Sequence, residues 1–136
     1  MPNGTRSPWK AGRQTTMNDR PTNFPRRGDV FDVGFDPTLG SEIGKKRPAI
    51  VVSNNINNQY ANTVTVVPIT SSSSRRHYPY EVALPAGAGG LDRDSRAKCD
   101  QIRTVGKRRI ARRRGVLSME YLLLLDRAIK VHLGIP

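Results

Sequence analysis

Phe31, Val33 and Phe35 alternate with Asp32 and Gly34, the period of two expected of a strand with one buried face. Pro37 closes that strand. Pro48 to Ser53 predicts a second strand around the β-branched run Ile50 to Val52, and Thr63 to Thr70 a third, with Val64, Val66, Val67 and Ile69 as its apolar positions. Pro68 belongs at an edge or bulge there, because it has no N–H to give a ladder. Tyr78 to Leu84 follows as a fourth, ended by Pro85 and the glycine-rich turn Gly87 to Gly90. The fifth, Ser95 to Val105, carries Arg96, Lys98, Asp100, Gln101 and Arg103, so one face must meet solvent or a ligand. After it the period lengthens. Leu122, Leu125, Ile129 and Leu133 form one stripe of a helix from Met119 to about Leu133, with Ser118 as N-cap and Gly134 as terminator. The leucine run Leu122 to Leu125 is wider than one stripe needs, which points to a second subunit.

The connections are polar. Asp36 to Lys46 has too few hydrophobes to bury itself and reads as a surface loop, while Asn54 to Asn62 reads as a turn-rich connection. Ser71 to His77, SSSSRRH, is a flexible loop, and Lys107 to Arg114, KRRIARRR, holds six positive charges and no acid. That run is either a phosphate-binding track or a solvated connector. Short strands, turns and one terminal helix describe a mainly β (α+β) chain folded as a small, strongly curved barrel or sandwich. Met1 to Pro25, with four prolines and no hydrophobic period, reads as a disordered basic arm ahead of one domain, residues 26–136. Met17 is an alternative start.

Charge changes the picture more than length does. In 136 residues, 23 Lys and Arg oppose 11 Asp and Glu, and the net charge of +12 calls for a polyanionic partner. The chain has neither a basic amphipathic helix with an aromatic face nor an apolar run long enough to span a bilayer, so nucleic acid or an acidic protein ranks ahead of a membrane. Without an apolar leader at its start, it reads as cytoplasmic. One cysteine, Cys99, rules out an internal disulfide, and two histidines make a structural zinc site improbable. No metal or cofactor is expected.

RNA supplies its own nucleophile, the 2'-hydroxyl, so a protein that cleaves it has to align that oxygen, stabilise charge on phosphorus and manage two protons. His77 and His132 are the obvious acid and base, but one lies in a polar loop and the other suits the last turn of a helix dipole. Arg47, at the mouth of the second strand, fits charge stabilisation through its fork of donors. Thr70, at the end of the third, can donate to a phosphate oxygen, and Asp100 can take the 2'-hydroxyl proton. Each also has an ordinary role open to it. Arg47 could pair with Glu42, Thr70 could cap a turn, and Asp100 could form a cross-strand ion pair between Lys98 and Arg103.

RGDVF from Arg27, DPTLGSEIGKKRPAIVVSN from Asp36, VVPIT, CDQIRT and the closing helix occur in an order and spacing that resemble the MazF/PemK (also called Kid) family of toxin endoribonucleases. The resemblance implies an SH3-like or CcdB-like antiparallel barrel that forms a homodimer, needs no metal, and cuts single-stranded RNA to leave a 2',3'-cyclic phosphate and a 5'-hydroxyl. It implies Arg47 and Thr70 as catalytic residues and Asp100 as the base. Ser41, Glu42, Gly44 and Lys46 fall in or beside a loop that gates the site, Asn54 closes the second strand where relatives contact RNA, and Gln101 falls where base edges are read. Arg75, Lys98 and Arg103 complete the expected RNA contacts. In the PemK branch a histidine stands at the position of Ser41 and an arginine at that of Lys98, so proton management differs here. A cognate acidic antitoxin of MazE type, partly disordered, is the implied protein partner. Two other classes share parts of this pattern: a CcdB-type toxin that binds a topoisomerase without cutting RNA, and a basic nucleic-acid-binding protein without activity.

Overall fold

A computed structural model of the chain describes residues 24–72, 74 and 76–136. Residues 1–23, most of the expected basic arm, and Arg75 lie outside the described residues. The elements run β1 (Asp29–Gly34), β2 (Lys46–Val51), α1 (Asn55–Tyr60), β3 (Thr63–Ser71), β4 (Glu81–Leu84), β5 (Ser95–Lys98), β6 (Arg103–Gly106), β7 (Ile110–Val116) and α2 (Met119–Leu133). Every strand pairing is antiparallel, in the order β4-β5-β3-β2-β1-β7, with β6 also paired to β3. A mainly antiparallel sheet with a terminal helix is what the alternation predicted.

Strand alternation divides the apolar residues between two cores. Val30, Ile50, Val67 and Ile69 meet Leu84, Leu117 and the inner side of α2. Phe31, Val33, Phe35, Ala49, Val51, Val64 and Val66 face the other way and are closed by Val105 and Ile110. The central strands are therefore buried on both faces, and β1 is more enclosed than a half-buried strand. In α2 the buried positions are Leu122, Leu125 and Ala128, whereas Leu133, expected in the stripe, is 52% exposed. The helix has run past the sheet by then. Gly134 ends it at φ 70, and Ser118 occupies the N-cap without a side-chain bond. Arg27 fastens α2 to the sheet by donating to Asp126 and to the Val52 carbonyl.

Three elements differ from the pattern. Residues read as a connection after Asn54 form α1, because the Asn54 side chain caps the Asn57 N–H at 2.8 Å and buried Asn58 donates to the Ser53 carbonyl at 2.8 Å. Amide bonds, not an apolar face, hold this helix. The long polar fifth strand is broken into β5 and β6 by a 3-10 turn, Cys99–Gln101. That break falls opposite Pro68, which lies between the register pairs Val66–Arg103 and Ile69–Ala97. The basic run is itself a strand, β7. Arg113 pairs with Asp29 at 3.3 Å, Arg114 with Asp32 at 2.6 Å and Asp92 at 3.4 Å, and Arg112 with Asp32 at 3.6 Å. Arg109 donates to the carbonyls of Gly34 and Asp36. Much of the charge that looked free is thus held against β1, and the run is a paired strand, not a connector.

Candidate active site

β2 and β3 are paired only from Ala49 to Val51, opposite Pro68 to Val66. Before Ala49, residues Lys46 to Pro48 pair with β1 alone, and after Pro68, residues Ile69 to Ser71 pair with β5 alone. The two strands part at this end. A cleft of about 250 Å³ opens in the fork, lined by Lys46 and Arg47 on one side, Ile69 and Ser71 on the other, with Arg93 and Arg114 at its margin. A second cleft lies beside it, lined by Thr70 and Ser72 with Arg76, Arg96 and Lys98.

Continuing the Ala49–Pro68 register by two residues sets Arg47 opposite Thr70. Residues opposite one another in antiparallel strands project to the same face, and both share the parity of Ala49 and Val66. By parity the two residues belong to one side of the sheet, on strands that have separated there, with Arg47 lining the first cleft and Thr70 the second. Arg47 Nε donates to the Gly44 carbonyl at 2.8 Å. Glu42, offered by the sequence as its partner, instead accepts the Leu39 N–H at 2.6 Å. Among the described residues Arg47 has no carboxylate partner, which leaves its outer fork of N–H groups for a ligand. The Thr70 hydroxyl caps no turn among them.

Asp100 is the second residue of the 3-10 turn, and its Oδ1 is buried with no hydrogen-bond partner among the described residues. The suggested ion pairs do not form. Lys98 Nζ is 2.5 Å from Glu81 Oε2, a bond that holds the lysine above its ordinary pKa, and the Arg103 guanidinium lies over the Phe35 ring at 5.3 Å. An acceptor buried without a donor costs free energy. Its neighbour Gln101 accepts the Ile43 N–H at 3.4 Å, which ties this turn to the loop leading into Arg47.

Ser41 and Glu42 are exposed on that loop, Gly44 is wedged at its end, and Lys46 is exposed at the cleft mouth. Asn54 is not brought to this group within one chain. It lies beyond the opposite end of β2, with its side-chain oxygen engaged in the α1 cap. Arg96 was missed as a candidate. It is opposite Thr70 in register, 7% exposed, 3.5 Å from Glu81, and donates to the Ser74 carbonyl. Its two-residue spacing from Lys98 was the available signal. Among the described residues, no group of three or more His, Cys, Asp and Glu side chains is arranged to hold a metal ion, and no helix is long and apolar enough to cross a membrane.

Comparison with known proteins finds the same constellation of segments elsewhere. Endoribonuclease MazF9 of Mycobacterium tuberculosis is 41% identical over 115 residues, covering 81% of this chain and 97% of that protein. Endoribonuclease MazF of Staphylococcus epidermidis is 34% identical over 110 residues, covering 81% and 92%. Among solved structures, MazF from Deinococcus radiodurans superimposes with a TM-score of 0.72 at 28% identity, over 83% of this chain and 99% of that one. A mycobacterial endoribonuclease in complex with its cognate antitoxin gives 0.67 at 28% identity, over 82% and 97%. The sequence family of PemK-like, MazF-like toxins of type II toxin-antitoxin systems matches residues 26–133, and the chain belongs to that family.

Proposed function

We propose that this chain is the toxin of a toxin-antitoxin pair and an endoribonuclease that cuts single-stranded RNA by attack of the RNA's own 2'-hydroxyl. The observation that carries this reading is the fork between β2 and β3, with the uncommitted guanidinium edge of Arg47 opposite Thr70. Attack of the 2'-oxygen on the adjacent phosphorus breaks the bond to the 5'-oxygen of the next nucleotide, which takes a proton from water, and leaves a 2',3'-cyclic phosphate and a 5'-hydroxyl. No metal is needed for that step when the developing negative charge meets fixed donors. Arg47 is assigned to the non-bridging oxygens as a permanent cation, because its pKa makes it a poor proton donor. Thr70 donates a second bond to the phosphate. Asp100 is assigned to receive the 2'-hydroxyl proton through the accessible part of its half-buried carboxylate.

Lys46, Lys98 and Arg103 supply charge along the strand, and Ser41, Glu42, Gly44 and Gln101 lie where bases would be selected. Arg75, next to Arg76 in sequence, adds to the same basic charge. The chain works as a homodimer on a barrel of SH3-like or CcdB-like type, and the exposed Leu123 and Leu124 of α2 support a second subunit. Asn54 then reaches RNA from the far end of its own strand. An antitoxin partner is supported by the complex that the mycobacterial relative forms, and charge complementarity to the basic rim makes that antitoxin acidic. Arg47→Ala is expected to lower the cleavage rate by about 10²- to 10³-fold, the scale of removing one transition-state donor, with circular dichroism and dimer mass unchanged. Cleavage at the wild-type rate by a folded Arg47→Ala protein would overturn the assignment, and toxicity retained without cleavage would favour a binding toxin.

A further inference from the structure

The loop before β2 is closed on itself in a way that fixes where Arg47 points. Lys45 stands at φ 65, a left-handed conformation that costs a residue with a side chain, and it is clasped from both sides. Its N–H donates to Asp36 Oδ1 at 2.8 Å, and its carbonyl accepts the Phe35 N–H at 2.9 Å. The preceding residue has no room for a side chain: a Cβ on Gly44 would lie 2.7 Å from Asp36 Oδ1 and 2.8 Å from Thr38 Oγ1. The carbonyl of that same Gly44 takes the Arg47 Nε–H. Behind Asp36, Arg109 of β7 donates to its backbone carbonyl.

We infer that Asp36 is a positioning residue for Arg47: its carboxylate holds the Gly44–Lys45 turn so that the Gly44 carbonyl aims the guanidinium edge at the fork. This rests on the cleavage assigned to Arg47 above. Asp36 makes its bond to the backbone nine residues along, so its carboxylate is engaged with the turn. What Lys45 requires is an acceptor at one place. Charge is secondary, since the donor is a neutral N–H.

The test compares Asp36→Ala, Asp36→Asn and Asp36→Glu with wild type and Arg47→Ala, reading single-turnover cleavage, RNA affinity and the NMR signal of the Arg47 Nε–H. Asp36→Ala loses the acceptor, and Asp36→Glu moves it by one methylene while keeping the charge. Both are expected to lose about 10- to 100-fold in rate with RNA affinity within about threefold, the scale of a misaligned reacting group. Asp36→Asn keeps an oxygen in place and is expected to restore the rate to within about threefold of wild type. In the Arg47→Ala background, Asp36→Ala should cost nothing more, because both act on one contact. The Nε–H signal should persist in wild type and Asp36→Asn and be lost or shifted in Asp36→Glu. If Asp36→Ala does not fold, the Asn and Glu pair decides. Wild-type cleavage together with equal rates for Asp36→Asn and Asp36→Glu would overturn the positioning role alone, whereas a wild-type protein that leaves RNA intact would overturn the nuclease assignment with it.

Discussion

Cys99 sits immediately before Asp100 and is fully buried. Burial, helped by Asp100 and Glu81, pushes the Cys99 thiol from its ordinary 9.0 up to about 12. The proton therefore stays on in the folded chain and leaves more readily in the unfolded one, so stability falls as pH rises from 9.0 toward about 12. Lys98 adds to this in the same direction: its raised pKa contributes stability below its ordinary 10.5 that is lost as pH rises through the folded value. At pH 8 the native protein is expected to leave a disulfide reagent unreacted and to titrate one thiol once unfolded in guanidinium. Rapid reaction of the native thiol would contradict the burial. At this scale the positions of Arg47 and Thr70 at strand ends were legible from the apolar spacing beside them, and their proposed roles came with the family resemblance. Asp36 was not, since its partner is a backbone N–H nine residues away. Arg96 reads in sequence as one of several charges on a strand facing solvent or a ligand, and only the register sets it opposite Thr70.

Among the elements, β1, β2, β3 and α2 were readable because burial is written in their apolar spacing. β7 was hidden by charge. Its arginines satisfy Asp29 and Asp32, 84 and 82 residues away, and Asp92, 22 residues away, pairings that no local period records. α1 was hidden by the reverse cause, a helix made of amides that bond to one another. The approach of β7 to the glycine turn before β5 also had a signal whose purpose the sequence did not disclose. A Cβ on Gly90 would lie 2.2 Å from the Arg114 carbonyl oxygen, and the residue holds φ 78. Gly90→Ala is accordingly expected to destabilise by about 2–4 kcal/mol, from backbone strain plus displacement of β7. Thermal unfolding measures this, and an unchanged melting temperature would show that the turn can move away at no cost.

For the whole molecule, the net charge of +12 is distributed unevenly. Within β7 the arginines at positions 112, 113 and 114 are spent on carboxylates, while Lys46, Arg93 and Arg76 remain around the two clefts at the fork. Total charge pointed to a polyanion and could not say where it would lie. Strand divergence does, by opening the sheet where Arg47 and Thr70 share a face. If RNA lies there and cleaves itself, the sugar matters more than the base. The decisive measurement sets a single-stranded RNA beside an all-2'-deoxy strand of the same sequence, each incubated with the protein in chelator, and identifies the ends formed. The RNA is expected to be cut to 2',3'-cyclic phosphate and 5'-hydroxyl ends, and the deoxy strand to stay whole. Cleavage of the deoxy strand at a similar rate, or RNA products ending in 3'-hydroxyl and 5'-phosphate, would contradict the account.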